Sequence, residues 1–276
     1  MKFEKFARAL APIAAIALAA ALSGCDGSNI KINGEEGKKL ADLDLTGAAP
    51  VELVLMGPDE VKVTEGAKLA ITVEGDAAAR EDMRFSLKDG TLAILRKPMK
   101  WGKTGAETVV VNVTMPAPRE ITLAGSGKIS SAALARTASI VVAGSGSVET
   151  PNVAGESIDV NLAGSGLYRA AGNVSSLKLL IAGSGSAELD ALKADSAKVT
   201  IAGSGNARFA SDGEVNAEIM GSGEVSVRGR ARCTVSAMGS GKLNCETAAS
   251  QTGTAETPET PETPETPATP ETPDAP

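Results

Sequence analysis

The sequence predicts an all-β protein: a parallel β-helix, taken as right-handed, of seven coils cornered by Gly-Ser-Gly and preceded by an irregular β-rich half. Three observations predict it. Gly-Ser-Gly begins at Gly125, Gly144, Gly164, Gly183, Gly203, Gly221 and Gly239, seven copies at spacings of 18 to 20 residues. Apolar residues alternate with others on both sides of each triplet, which marks strands with one buried face. The rest of each unit is a few loop formers around one apolar residue, a short third side. Such a unit cannot bury its apolar face alone, so units must stack.

Before the triplets the inward positions are Ile121 and Leu123; Ile140 and Val142; Ile158, Val160 and Leu162; Leu177, Leu179 and Ile181; Val199 and Ile201; Val215 and Ile219. After them come Ile129, Val148, Tyr168, Leu189, Phe209, Val225 with Val227, and Leu243. Val153, Val174 and Leu192 mark the third side. Stacked coils lie about 4.8 Å apart, so seven make a rod of roughly 30 Å. The glycines invite two readings, an anion-binding row of backbone amides or bends needing positive φ and close approach; the second is preferred. Five residues after each first glycine stand Ser130, Glu149, Arg169, Glu188, Arg208, Ser226 and Asn244, whose alternating charges favour in-register stacking.

Residues 28 to about 118 lack the triplet but are strand-rich, at Val51 to Leu55, Val61 to Val63, Leu69 to Val73, Phe85 to Leu87, Leu92 to Leu95 and Val109 to Val113. Turns fall at Gly57-Pro58, Glu65-Gly66 and Asp89-Gly90. This half is expected to build irregular first coils or a β cap. Within it, Arg96 to Gly105 reads as a basic loop, with Arg96, Lys97, Lys100 and Lys103 around Trp101, the sole tryptophan. Lys97, Lys100, Trp101 and Lys103 form a candidate surface contact for lipid headgroups or an acidic polymer, weighed against a solvated insertion.

The chain opens with Lys2, Lys5 and Arg8, followed by an apolar run from Ala9 to Leu22, too short to span a bilayer. It closes on Leu22-Ser23-Gly24-Cys25, which resembles the bacterial lipobox. The expectation is a signal peptide over 1–24, lipidation of Cys25, and a membrane-anchored lipoprotein of the cell envelope, on the periplasmic side or at the cell surface. Asp26 is the candidate sorting residue. The resulting division is tether 25–42, N-terminal β-rich part 43–118, repeat β-helix 119–247, and a disordered Thr-Pro-Glu tail over 248–276.

The formal net charge is -7; residues 1–24 carry three positive and one negative side chain, so about -9 remains for the rest. Six of those negative charges lie in the last 26 residues, without Lys or Arg. No basic footprint suits nucleic acid. There is no histidine, which removes the usual general base and the commonest metal ligand. The residues following the triplets, Lys128, Ser147, Leu167, Ser186, Asn206, Glu224 and Lys242, supply no periodic calcium site, so neither metal nor cofactor is expected. Asp159 with Lys178 one coil on is the nearest approach to a catalytic constellation, and it reads as a surface ion pair. Cys233 and Cys245 flank the last corner six residues to either side, which points to a disulfide in an oxidising compartment, against two buried thiols.

Leu45-Thr46-Gly47, the strands around Val51 and Val61, the run Leu69 to Gly75, Gly90-Thr91-Leu92, Val111 to Pro116 and the Gly-Ser-Gly series together resemble the head GIN domain described as a putative autotransporter adhesin, over roughly 43 to 246. The resemblance implies a β-helical, secreted or surface-associated domain common in bacterial lipoproteins, and carries no catalytic motif. The expected function is a non-enzymatic envelope lipoprotein, held to the membrane by its N-terminal lipid, whose rod is a scaffold or adhesin-like binding surface for a protein or glycan. The alternatives are a glycan-active β-helix enzyme and an envelope signalling partner acting through the acidic tail.

Overall fold

The computed structural model describes residues 31–32, 35–97 and 107–246. A short antiparallel pair, β1 (Lys31–Ile32) and β2 (Glu35–Glu36), precedes the main body. The body begins with β3 (Glu52–Met56), β4 (Glu60–Glu65) and β5 (Ala70–Glu74). A one-turn helix α1 (Ala77–Glu81) follows, capped by the Asp76 carboxylate accepting from the Ala78 and Ala79 amides. Next come β6 (Met83–Lys88), β7 (Thr91–Arg96), β8 (Val110–Met115), β9 (Glu120–Gly125), β10 (Lys128–Ser131) and β11 (Thr137–Gly144). Four long strands, β12 (Ser147–Gly164), β13 (Leu167–Gly183), β14 (Ser186–Gly203) and β15 (Asn206–Gly221), each run from one corner round the third side to the next. The rod ends with β16 (Glu224–Arg228), β17 (Arg232–Gly239) and β18 (Lys242–Cys245).

The result is a parallel β-solenoid in which every Gly-Ser-Gly stacks on the one before. Gly144 pairs with Gly125 and with Gly164, Gly183 with Gly164 and Gly203, and Gly221 with Gly239. The inward positions read from the alternation form one continuous core: Ile140, Val142, Leu177, Ile181, Val199, Ile201, Val215 and Ile219 are all 0% exposed, and Val153, Val174 and Leu192 close it on the third side. Burying each such side chain is worth about 1.5–3 kcal/mol, which only stacked neighbours can supply. The one tyrosine lies in this core, its hydroxyl 2.7 Å from Thr150 Oγ1, and burial pushes its ionisation well above the ordinary range.

The corners are bends. Gly183 has φ +120°, and a Cβ built on it would lie 2.5 Å from the Gly164 carbonyl oxygen, so both the backbone conformation and the coil spacing demand glycine. The amides of Ser145, Ser165, Ser184, Ser204 and Ser222 donate to glycine carbonyls one coil back at 2.8–3.0 Å. These donors are spent inside the ladder, which closes the anion-row reading.

The N-terminal half extends the same rod and also caps it. Strand β3 pairs in parallel with both β7 and β9, and β4 with both β8 and β10. The first coil in the sequence is therefore the third level of the stack, slotted between strands made later. Gly57-Pro58-Asp59 occupies the corner position next to Gly125, with the Gly127 amide donating to the Gly57 carbonyl at 2.9 Å. Beyond β7 and β8 the stack closes with antiparallel β6 and β5. Ten levels at the strand spacing give a rod of about 43 Å.

The basic loop starts one residue later than the sequence suggests. Arg96 is the last residue of β7 and is buried, its side chain 6% exposed, against the fully buried Asp59. Alternation puts Arg96 on the inward side with Leu92 and Ile94, so it belongs to the core end of the corner and not to a solvated loop.

Candidate functional site

The outer faces of the rod are largely self-neutralised. On the face after the corner an unbroken ladder runs Lys128–Glu149 (3.0 Å), Glu149–Arg169 (3.4 Å), Arg169–Glu188 (2.7 Å), Glu188–Arg208 (3.6 Å), Arg208–Asp190 (3.5 Å) and Asp190–Arg228 (3.6 Å). Hydrogen bonding to Lys128 holds the Glu149 carboxyl below its usual range, and Glu188 then Glu149 hold the Arg169 guanidinium more firmly charged. At the third side Lys193 and the Arg230 amide bring Asp212 down to about 2. Asp159 and Lys178 form a surface ion pair at 3.6 Å, as their spacing suggests. Exposed pairs of this kind specify register more than they stabilise.

One surface departs from this pattern. A groove of about 640 Å3 crosses three successive levels where strands leave the third side, lined by Arg119, Arg136, Thr137, Ser139, Ser157 and Asp159. Each position is fixed by backbone pairing: Ser139 donates to the Arg119 carbonyl at 2.8 Å, and Glu156 and Ser157 both donate to the Arg136 carbonyl, at 2.6 and 3.2 Å. Gly155 permits that approach, since a Cβ there would lie 2.5 Å from the Arg136 oxygen. Arg136 pairs with Glu156 at 2.8 Å, whereas the exposed Arg119 guanidinium has no partner among the described residues.

Beside Arg119 the ladder rule breaks. Glu120 stacks directly on Glu52, and on its other side on Ser139. Thr91 donates to Glu52 at 2.6 Å and Thr122 to Glu120 at 3.3 Å. Burial first and the Glu52 charge second raise the Glu120 ionisation, so the folded state binds this proton more tightly than the unfolded chain does. The stability associated with that proton is complete below the ordinary glutamate range and is lost as pH rises through the folded value. Glu120→Gln is therefore expected to raise the thermal midpoint at pH 7, with the difference from wild type vanishing below about pH 4. A difference independent of pH would remove the like-charge account.

A second polar constellation lies at the base of the basic segment. Arg96 Nε donates to Asp59 Oδ2 at 3.0 Å, its Nη2 donates to Asp59 Oδ1 and, at 3.0 Å, to the Glu107 carbonyl, and the Val109 amide donates to Asp59 Oδ1 at 3.1 Å. The pair thus clamps both ends of segment 97–107. Lys97 is exposed, its amide bonded to the Asp82 carbonyl at 2.9 Å. Lys100, Trp101 and Lys103 lie outside the described residues, as do Cys25, Asp26, residues 1–24 that the sequence suggests as a signal peptide, and the Thr-Pro-Glu tail.

Cys233 and Cys245 are joined across the last corner with Cα atoms 6.5 Å apart. Thiol titration of the denatured, unreduced chain carrying Cys25→Ala is expected to find none, and two after reduction; two before reduction would exclude the bond.

Sequence reasoning missed Arg119, Arg136 and the Glu52–Glu120 stack, because each depends on which strands become neighbours. The corner role of Gly57-Pro58-Asp59 carried one available signal, a glycine following an alternating strand as in the later coils.

A family model described as "Putative auto-transporter adhesin, head GIN domain" matches residues 49–231. No curated protein matches the chain. Among solved structures the chain is similar to a "putative adhesin" from Bacteroides fragilis, at 17% identity over 72% of this chain and 93% of that one, with a TM-score of 0.65. It is also similar to a "putative lipid binding protein" from Parabacteroides distasonis, at 21% identity over 72% and 94%, TM-score 0.57. A third is a "putative adhesin" from Parabacteroides merdae, at 15% identity over 79% and 99%, TM-score 0.53. At these identities the likeness is one of fold.

Proposed function

Because the chain belongs to the family described as "Putative auto-transporter adhesin, head GIN domain", we propose that it is a non-enzymatic envelope lipoprotein whose rod presents an adhesin-like binding surface to a glycan or protein. The observation that carries this reading is the contrast between the paired charges along the rod and the groove, where Arg119 is unpaired among the described residues beside three hydroxyl side chains and Asp159. Hydroxyls, a carboxylate and a planar guanidinium suit hydroxyl-rich or carboxylate-bearing sugars, which are bound through many modest hydrogen bonds. In this reading lipid on Cys25 holds the protein to the membrane outside the cytoplasm, and the residue types Lys97, Lys100, Trp101 and Lys103 suit a further contact with lipid headgroups or an acidic polymer.

Two measurements test it. Intact mass and membrane fractionation of wild type beside Cys25→Ala should show lipid mass and membrane retention in the first alone; two soluble, unmodified forms would overturn the lipoprotein reading. Binding of the full chain to an array of neutral and uronic-acid oligosaccharides should be lost in Arg119→Glu and kept in Arg169→Ala. Equal binding by both variants would remove the groove as the site.

The two carboxylates of Glu52 and Glu120, stacked on adjacent strands with Glu120 next to the groove residues Arg119 and Ser139, favour one second reading, a glycan-cleaving surface at the edge of the groove. New reducing ends released from a bound oligosaccharide by wild type and not by Glu120→Gln would establish it in place of binding alone.

A further inference from the structure

The two ends of the rod are finished differently. At the N-terminal end the outermost strands β5 and β6 run antiparallel to the rest, Lys38 bridges Phe85 beyond β6, and Leu40 and Leu43 pack against the core. At the other end β17 pairs only with β15 and β18 only with β16, so their outer edges have no partner among the described residues. Among the described residues the inward column ends there in Cys233, Val235, Ala237, Leu243 and Cys245. Val235 is 48% and Met238 72% exposed, the large apolar side chains left open among the described residues. Open parallel edges over an apolar core recruit further strands unless blunted.

We propose that this end is an interface between two copies of the chain, related by a two-fold axis through the last corner at Ser240. Strand β17 runs towards that corner and β18 away from it. A half-turn about the line bisecting the corner therefore lays β17 of each copy antiparallel on β18 of the other, completing all four edges at once. Counting equally outward from Ser240, Leu243 meets Ala237 and Cys245 meets Val235 on the inward side. On the outward side Lys242 meets Met238, Asn244 meets Ser236, and Glu246 meets Thr234. Inward residues thus face inward residues, and no like charges are opposed. Glu246 of each copy lies diagonally beside Arg232 of the other, and Arg232 has no ion-pair partner among the described residues. Antiparallel closure is also how the N-terminal end is finished. The chain's own segment 256–276 is a poorer occupant, since proline at every third position removes the amides a strand edge requires.

The test uses residues 25–276 carrying Cys25→Ala. Sedimentation velocity from about 1 to 100 µM should show a monomer–dimer equilibrium, which Val235→Lys weakens at least tenfold with an unchanged far-ultraviolet spectrum. Ser240→Cys, on the axis, should cross-link to itself on mild oxidation, and Ser222→Cys, one coil back, should not. A monomer at every concentration overturns the proposal; if the β17 and β18 amides are then protected from exchange, the tail covers the end. A dimer that Ser240→Cys fails to link, or that Val235→Lys leaves intact, overturns it equally.

Discussion

Gly183→Ala is expected to lower stability by at least about 3 kcal/mol, an effect large for one methyl group. Two costs coincide at this corner. The backbone has φ +120°, outside the left-handed helical region that other residues tolerate, which by itself costs of order 1–3 kcal/mol. The added Cβ would also stand 2.5 Å from the Gly164 carbonyl oxygen, and 3.2 Å from that residue's Cα and carbonyl carbon. None of these is the end of a flexible side chain, so the coils must separate and weaken the pairing on both sides. The neighbouring Ser184 is exposed, and Ser184→Ala should change stability by no more than about 0.5 kcal/mol. Urea unfolding of the three chains side by side checks the pair; equal midpoints for wild type and Gly183→Ala would mean that the corners are looser than the structure has them.

Arg96→Ala and Asp59→Ala are each expected to cost about 3–5 kcal/mol, because either leaves an unpaired charge in the core. The side chains are 6% and 0% exposed, so solvent cannot replace the lost partner. Removing Asp59 also orphans the Val109 amide, and removing Arg96 frees the Glu107 carbonyl. Replacing both at once, Arg96→Met with Asp59→Leu, removes the charges together and should recover most of the loss. A double variant as unstable as the singles would show that the clamp on segment 97–107, and not charge burial, is the main contribution. Because the pair is buried, raising the salt concentration should leave the single-variant losses unchanged.

The repeating part of this fold was legible because its physics is local. Glycine at a bend, a hydrophobic residue at every second position and one apolar residue on the return are all properties of a single unit. Stacking then copies them, so Ile181, Val199 and Ile219 could be placed inward without knowing any neighbour. The alternating charges at Glu149, Arg169, Glu188 and Arg208 were legible for the same reason, since their spacing equals the coil length. The N-terminal half has no such period. Nothing local says that β3 lies between β7 and β9, so the Glu52–Glu120 contact and the burial of Arg96 by Asp59 could not be read in advance. The groove depends on the same long-range order, because Arg119 enters β9 just after the chain has passed the β3 level.

The slotted position of β3 and β4 also sets the order in which the molecule can be made. Each long coil from β11 onward finds its neighbour already formed and can add to it as the chain emerges from its amino end. Strands β3 and β4 have no such template. Both their edges stay bare until β7 and β8 have arrived on one side and β9 and β10 on the other, which requires synthesis to proceed as far as Ser131. Long-range pairing of this kind is slow, and unpaired strands are exposed to aggregation while they wait. From this pairing order assembly is expected to have a direction, with the intercalated level in the amino-terminal third as the slow step and the repeats adding after it.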